Sequence, residues 1–258
     1  MSFDGILTRQ QREQREAARQ RMGKLEQTMR EVRAALDHEL SQAVAADPRS
    51  ASGERLYSDA GLRQYRAERA AKVREKAAPQ LAELRDRVER DARLLAEHAE
   101  SMHPRIGDDA ASQMRAQRKW DQARMMLDAG MPMRTLVQRT DDVETLLAIA
   151  EWAPSYLDAQ QYRAPRLGEV TAPSDHGPLQ RGITARVAEL SGGETRDALV
   201  SASEARAALA GFAHRADYLD SLVADDARVS PLEASIRANV AEQLASSELE
   251  GETASEVA

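Results

Sequence analysis

The residues able to do chemistry are few and scattered along the 258-residue chain. The five histidines are His38, His98, His103, His176 and His214. Only His98 and His103 lie close together, and a separation of five puts them on different sides of a helix. Zinc binding on a helix calls for His at i and i+4 with a further ligand nearby. Asp141-Asp142 and Asp225-Asp226 are paired carboxylates. Both pairs fall at expected helix ends, where Asp serves as a cap, so no metal site is assigned. Arg9, Arg12, Arg15 and Arg19 form a row along one side of an expected helix. Such a row could meet phosphate or an acidic protein, but Glu13 and Glu16 interleave with it, and a self-paired, solvated face is the simpler reading. Met125, Met126, Met131 and Met133 could form an adaptable binding surface. Core packing is the commoner use of such a cluster. No nucleophile with a base, no paired acid and base and no metal cluster can be named, so the sequence points away from an enzyme and calls for no cofactor.

Leu190–Glu194 reads LSGGE. This string resembles the signature loop of ABC-type ATPases and of their coiled-coil relatives in chromosome organisation. The resemblance implies a loop before a helix whose N-terminus faces a γ-phosphate. Those ATPases also need a phosphate loop with the spacing G-x-x-x-x-G-K-[ST] and an acidic metal-holding strand. Lysine occurs only at 24, 72, 76 and 119, and none follows such a glycine. A helix stop at Gly192-Gly193 with a new cap at Thr195 accounts for the string. A nucleic-acid- or nucleotide-linked coiled-coil protein is the alternative reading that LSGGE and the arginine row leave open.

Composition sets the wider frame. Hydrophobic residues make up 42% of the chain, but 47 residues are Ala and only 3% are aromatic. Large side chains stabilise a core by about 1.5–3 kcal/mol each on burial, and this chain has few. With 31% charged residues, the usage is that of long helices with thin seams. The net charge is −7, yet residues 1–100 hold 20 basic against 18 acidic residues, a net of +2. From Ala241 onward there are five Glu and no basic residue. This balance argues against nucleic-acid binding, which wants a basic surface. Without cysteine there is no disulfide or thiolate metal site. No apolar run approaches the roughly 18 residues a membrane span needs, and the N-terminus lacks a signal-peptide pattern, so the expected protein is neither secreted nor transmembrane.

Three long apolar stripes recur in steps of three and four. The first, over an expected helix at 8–46, is Met22, Leu25, Met29, Val32, Leu36, Leu40 and Val44. The residues before Met22 lack an apolar face and are expected to fray or to order on a partner. The second runs from Leu62 to Met102 through Ala70, Val73, Ala77, Leu81, Leu84, Val88, Ala92, Leu95 and Ala99, with a kink or break expected at Pro79. That stripe extends along roughly 60 Å at about 1.5 Å per residue. The third, over Thr195–Ala227, carries Ala202, Ala205, Leu209, Phe212, Ala216, Leu219 and Val223 with heptad spacing. Between them lie a Met- and Trp-containing segment at 112–133 and a helix at Asp141–Trp152. That helix has a capping box from Asp141 to Glu144 and a stop at Pro154. Residues 112–163 are the expected compact core. A short helix is marked by Leu179, Ile183, Val187 and Leu190. A last helix starts at Ser230-Pro231, with Ile236, Val240 and Leu244 as its narrow face.

The expected fold is therefore all-α. It comprises an elongated helical hairpin or coiled coil at 1–107, a small helical cluster at 108–163 and a Pro-rich linker at 164–178. A C-terminal helical section at 179–245 and a disordered acidic tail at 246–258 complete it. The seam expected to make helix–helix contacts is Met22, Leu25, Met29, Val32, Val73, Leu81, Leu84, Val88, Leu95, Leu209, Phe212 and Leu219.

Two stretches carry a resemblance. Leu56–Arg87, LYSDAGLRQYRAERAAKVREKAAPQLAELRDR, is similar to a segment common in coiled-coil proteins of tailed-phage and prophage structural gene clusters. Arg139–Ala159, RTDDVETLLAIAEWAPSYLDA, resembles the short Leu-rich helix that can follow it. The resemblance implies a non-enzymatic structural or assembly role, as a scaffold-like or minor virion component. Its partners would be further copies of itself and a capsid or other virion protein, in a virion or the host bacterial cytoplasm. It supplies no catalytic residue.

Overall fold

A computed structural model describes residues 3–163, 175–226 and 229–246. Among these the chain is all-α, with nine helices and no strand. They are α1 (Phe3–Gly23), α2 (Leu25–Ala45), α3 (Asp59–Met102), α4 (Ala110–Asp128), α5 (Met133–Arg139), α6 (Val143–Arg163), α7 (Gly177–Leu190), α8 (Gly193–Val223) and α9 (Pro231–Ser246). The expected linker at 164–178 lies outside the described residues up to 174, and its last two residues already belong to α7. The expected disordered tail lies outside them from 247.

The five-part division along the chain gives way to two units that share helices. Among the described residues, one contains 3–95, 204–226 and 229–245, the other 96–163, 175–203 and 246. The reason is that α3 and α8 each contribute to two separate cores, which no local pattern announces.

In the first unit, α1, α2, the first part of α3, the second part of α8, and α9 enclose a cluster led by Met22, Leu25, Met29, Leu81, Val88, Phe212 and Leu219. Ala18, on α1, is fully buried, so the segment expected to lack a packing face has one. The helix expected at 8–46 is divided at Lys24, where φ −101° and ψ 3° depart from helical values. The α2 stripe also turns aside at its end. Ala43 is buried and Val44 is 59% exposed. Helix α3 runs unbroken through Pro79. Pro79 is exposed, so the carbonyl its missing N–H would have bonded can be satisfied by water.

In the second unit, α4 to α7 pack on the end of α3 and the start of α8. Leu146, Ile149, Val137, Ile183 and Val187 are almost wholly buried. Trp120 meets Tyr156 edge-on, with ring centroids 5.7 Å apart. The core expected at 112–163 therefore extends to Leu179–Ala202. Helix α6 does not stop at Pro154. The Ala150 carbonyl that loses its bond to residue 154 accepts instead from Gln180 Nε2 at 2.9 Å. The α6 cap is also displaced by one residue. Asp142, not Asp141, accepts from Thr145 N at 3.2 Å and Thr145 Oγ1 at 2.6 Å. Helix α4 ends in a Schellman motif. Met131 N donates to Met126 O at 3.0 Å and Gly130 N to Leu127 O at 2.9 Å, with Gly130 at φ +91°.

Candidate functional site

All twelve seam residues fall in the core cluster of the first unit. Met22, Leu25, Met29, Leu81, Val88, Leu95, Phe212 and Leu219 are buried, and Val32, Val73, Leu84 and Leu209 are half-buried around them. Their steps of three and four place them on one face of each helix, and those faces meet inside a single copy. The buried members therefore hold this chain together. The half-buried Val32, Val73 and Leu84 still line a surface.

That surface is a groove between α2 and α3. Val32, Leu36, Val73, Ala77, Leu81 and Leu84 form its floor, and Ala35, Glu39, Lys76, Gln80, Glu83 and Arg87 stand along its walls. Its cavity measures about 310 Å³. A second cavity of about 320 Å³ shares Thr28, Leu84 and Arg87 with it and continues the groove to Arg21 and Asp91. Arg21 fixes that end. Its Nε and Nη2 donate to the two oxygens of Asp91 at 2.7 Å each. The Asp91 residue is only 7% exposed. The fork-to-carboxylate hydrogen bonds push the Arg21 guanidinium above its ordinary value. Farther along, Arg66 Nε donates to Ala46 O at 2.9 Å. Pairing 21 with 91 and 46 with 66 means the two walls run in opposite directions.

Helix α9 departs from its sequence pattern. Ile236, Val240 and Leu244 point outward, at 54%, 48% and 63% exposed, and Leu232 joins them at 71%. The inward face is Ala234 and Ala238. Small residues let α9 approach α8 closely. A Cβ built at Gly211 of α8 would stand 2.0 Å from Glu242 Oε1. Arg215 Nη1 donates to that same oxygen at 2.5 Å. Ser230 caps the helix as expected, accepting from Glu233 N at 3.1 Å.

The other candidate residues are dispersed. Met125 and Met126 are exposed, with Met114, while Met131 and Met133 pack inward, so core packing explains only half of the methionine cluster. Arg9 pairs with Glu13 at 2.9 Å on the α1 surface. Arg12 and Arg19 are exposed on the same helix. Ser191-Gly192 separates α7 from α8, and α8 begins at Gly193, two residues before the expected Thr195 cap. Glu194 of the LSGGE string lies 3.7 Å from His98 Nε2. His176 Nε2 is 2.9 Å from Asp158 Oδ1. Asp225 lies two residues past the end of α8 at φ +58° and pairs with Arg74. Among the described residues no group of three or more His, Asp or Glu is arranged to hold a metal ion. Among the same residues no helix is long and apolar enough to cross a membrane.

Asp142 and Asp109 are held below the ordinary carboxylate value. At Asp142 burial raises the pKa, but hydrogen bonds from Thr145 and Lys119 outweigh it. At Asp109 the Ser112 hydroxyl bond is the main cause. Both carboxylates accept from the third residue of the helix that follows, so capping accounts for part of each shift, with Lys119 adding to it at Asp142. Compared with known protein families, curated proteins and solved structures, the chain matches none.

Proposed function

We propose that this chain is a non-enzymatic structural or assembly protein that acts through helix–helix contacts. The observation that carries the proposal is the outward apolar row of α9, Leu232, Ile236 and Val240, each about half exposed or more. Large apolar side chains in a contiguous exposed row mark an interaction surface. The exposed Met114 and Met125 of α4 add adaptable side chains of the kind that partner surfaces use. Together with the resemblance of Leu56–Arg87 and Arg139–Ala159, these features support a scaffold-like or minor virion component of a tailed phage or prophage. Its partners are further copies of the chain and a capsid or other virion protein.

Mass spectrometry of purified immature and mature particles, from the source that carries the gene, tests this reading. A scaffold is found in immature particles only, and a minor virion component in both. Absence from both overturns the virion assignment.

A further inference from the structure

The first unit also holds a small cavity where α2, α8 and the start of α9 meet. It measures about 160 Å³. Arg30 and Arg33 of α2 and Arg215 of α8 line it, and Glu26 is the one carboxylate of the lining. Glu26, Arg30 and Arg33 follow in steps of four and three, so they share one side of α2.

The contacts of the arginines leave donors over. Arg30 Nη2 donates to Glu26 Oε1 at 2.5 Å, which leaves its Nε and Nη1. The Arg33 guanidinium carbon lies 5.1 Å from the centre of the Tyr218 ring, and its Nε is 3.5 Å from Asp37 Oδ2. Arg215 is the most firmly held. Its Nη1 donates to Glu242 Oε1 at 2.5 Å and its Nη2 to Asn239 Oδ1 at 3.3 Å. Glu26, Asp37 and Glu242 together offset the three positive charges, so net charge does not set the cavity apart. Its surplus of donors does, because a guanidinium offers five N–H groups and no acceptor.

Tyr218 adds an independent sign. It lines the cavity and is only 7% exposed, yet among the described residues its hydroxyl has no hydrogen-bond partner. A buried tyrosine hydroxyl ordinarily finds one. Helix α9 starts on the same wall at Pro231, so its positive end lies beside these donors.

The geometry points to a binding site for a phosphate-class oxyanion in this cavity. The planar forks of Arg30 and Arg33 suit the edges of a tetrahedral oxyanion. The Tyr218 hydroxyl donates to a further oxygen, and Arg215, held by Glu242 and Asn239, supplies fixed positive charge. Donors from both α2 and α8 are more than the two oxygens of a carboxylate need. A bound anion joins α2 to α8 beside the start of α9.

Isothermal titration calorimetry of the full chain with inorganic phosphate tests this, with potassium chloride adjusted to hold the ionic strength constant. The wild type should bind phosphate saturably, one per chain, and sulfate should compete. Arg33→Gln, at a side chain 44% exposed, should weaken binding by about tenfold or more. Tyr218→Phe, which removes one neutral donor, should weaken it about threefold. Far-UV circular dichroism checks that both keep their helicity, and Arg30→Gln, at a side chain 77% exposed, replaces either that does not. Arg12→Gln, in the exposed arginine row of α1, should bind as the wild type does. No saturable binding of phosphate by the wild type would overturn the proposal. A loss with Arg12→Gln as large as with Arg33→Gln would assign the anion to surface charge at large and would also overturn it.

Discussion

Arg21 and Asp91 show how one pair sets the register of two helices. Asp91 is buried and accepts two charge-assisted bonds, while the Arg21 side chain is 49% exposed. Replacing Arg21 by Met leaves the carboxylate with its desolvation and without its partner. For fully buried pairs such a loss costs about 3–5 kcal/mol. The open side of Arg21 lowers the expectation here to about 1–3 kcal/mol, read as a lower urea midpoint at unchanged slope. Adding Asp91→Leu to Arg21→Met should recover most of that loss, because no unpaired charge remains. Asp142 makes a pH prediction. Its carboxyl is held below its unfolded value, so its contribution is complete above about pH 4 and disappears as pH falls through the lower, folded value. Thermal melts of Asp142→Asn should therefore show a shallower acid limb than the wild type, with the two curves converging at the acid end. An unchanged acid limb would contradict the role given to Thr145 and Lys119. The one-residue cap shift from Asp141 to Asp142 was not legible, because both residues are Asp and only the fold decides which side chain reaches Thr145.

At the scale of the element, periodicity of three and four was a sound guide wherever the buried face carries the largest side chains. That holds for α3 from Ala70 to Ala99 and for α8 from Ala202 to Leu219. It misled at α9, where the buried face is Ala234 and Ala238 and the larger side chains face out. Close approach to α8 rewards small residues, and a hydrophobicity pattern is blind to that. Prolines misled in the same way. Pro79 and Pro154 lie inside helices because the carbonyl each leaves without a bond has another partner available, water near Pro79 and Gln180 near Pro154. This gives a coupled prediction. Gln180→Ala should cost about 1–3 kcal/mol, since Ala150 O would stay half-buried without a bond. In a Pro154→Ala background, where residue 154 can donate to Ala150 again, the same substitution should cost less than half as much. Chemical denaturation of the four proteins in the cycle measures the difference, and equal costs in both backgrounds would contradict the account.

For the whole molecule, composition conveyed the all-α class and the shortage of large core residues, but not the sharing of α3 and α8 between two units. Unit membership depends on contacts between residues more than a hundred positions apart, such as Arg74 with Asp225 and Arg85 with Asp220. The groove was legible only through its floor. Val32, Val73 and Leu84 belong to the seam, while Ile236, Val240 and Leu244 were read as the narrow face of α9 and prove to be exposed. The exposed apolar row of α9 is the basis of the proposed assembly with further copies of the chain. The most direct measurement of that claim is light scattering on the purified wild-type chain across a wide concentration range. The account predicts a molar mass that climbs from the 28.4 kDa of one copy through successive multiples as concentration rises. A mass that stays at 28.4 kDa throughout would contradict it.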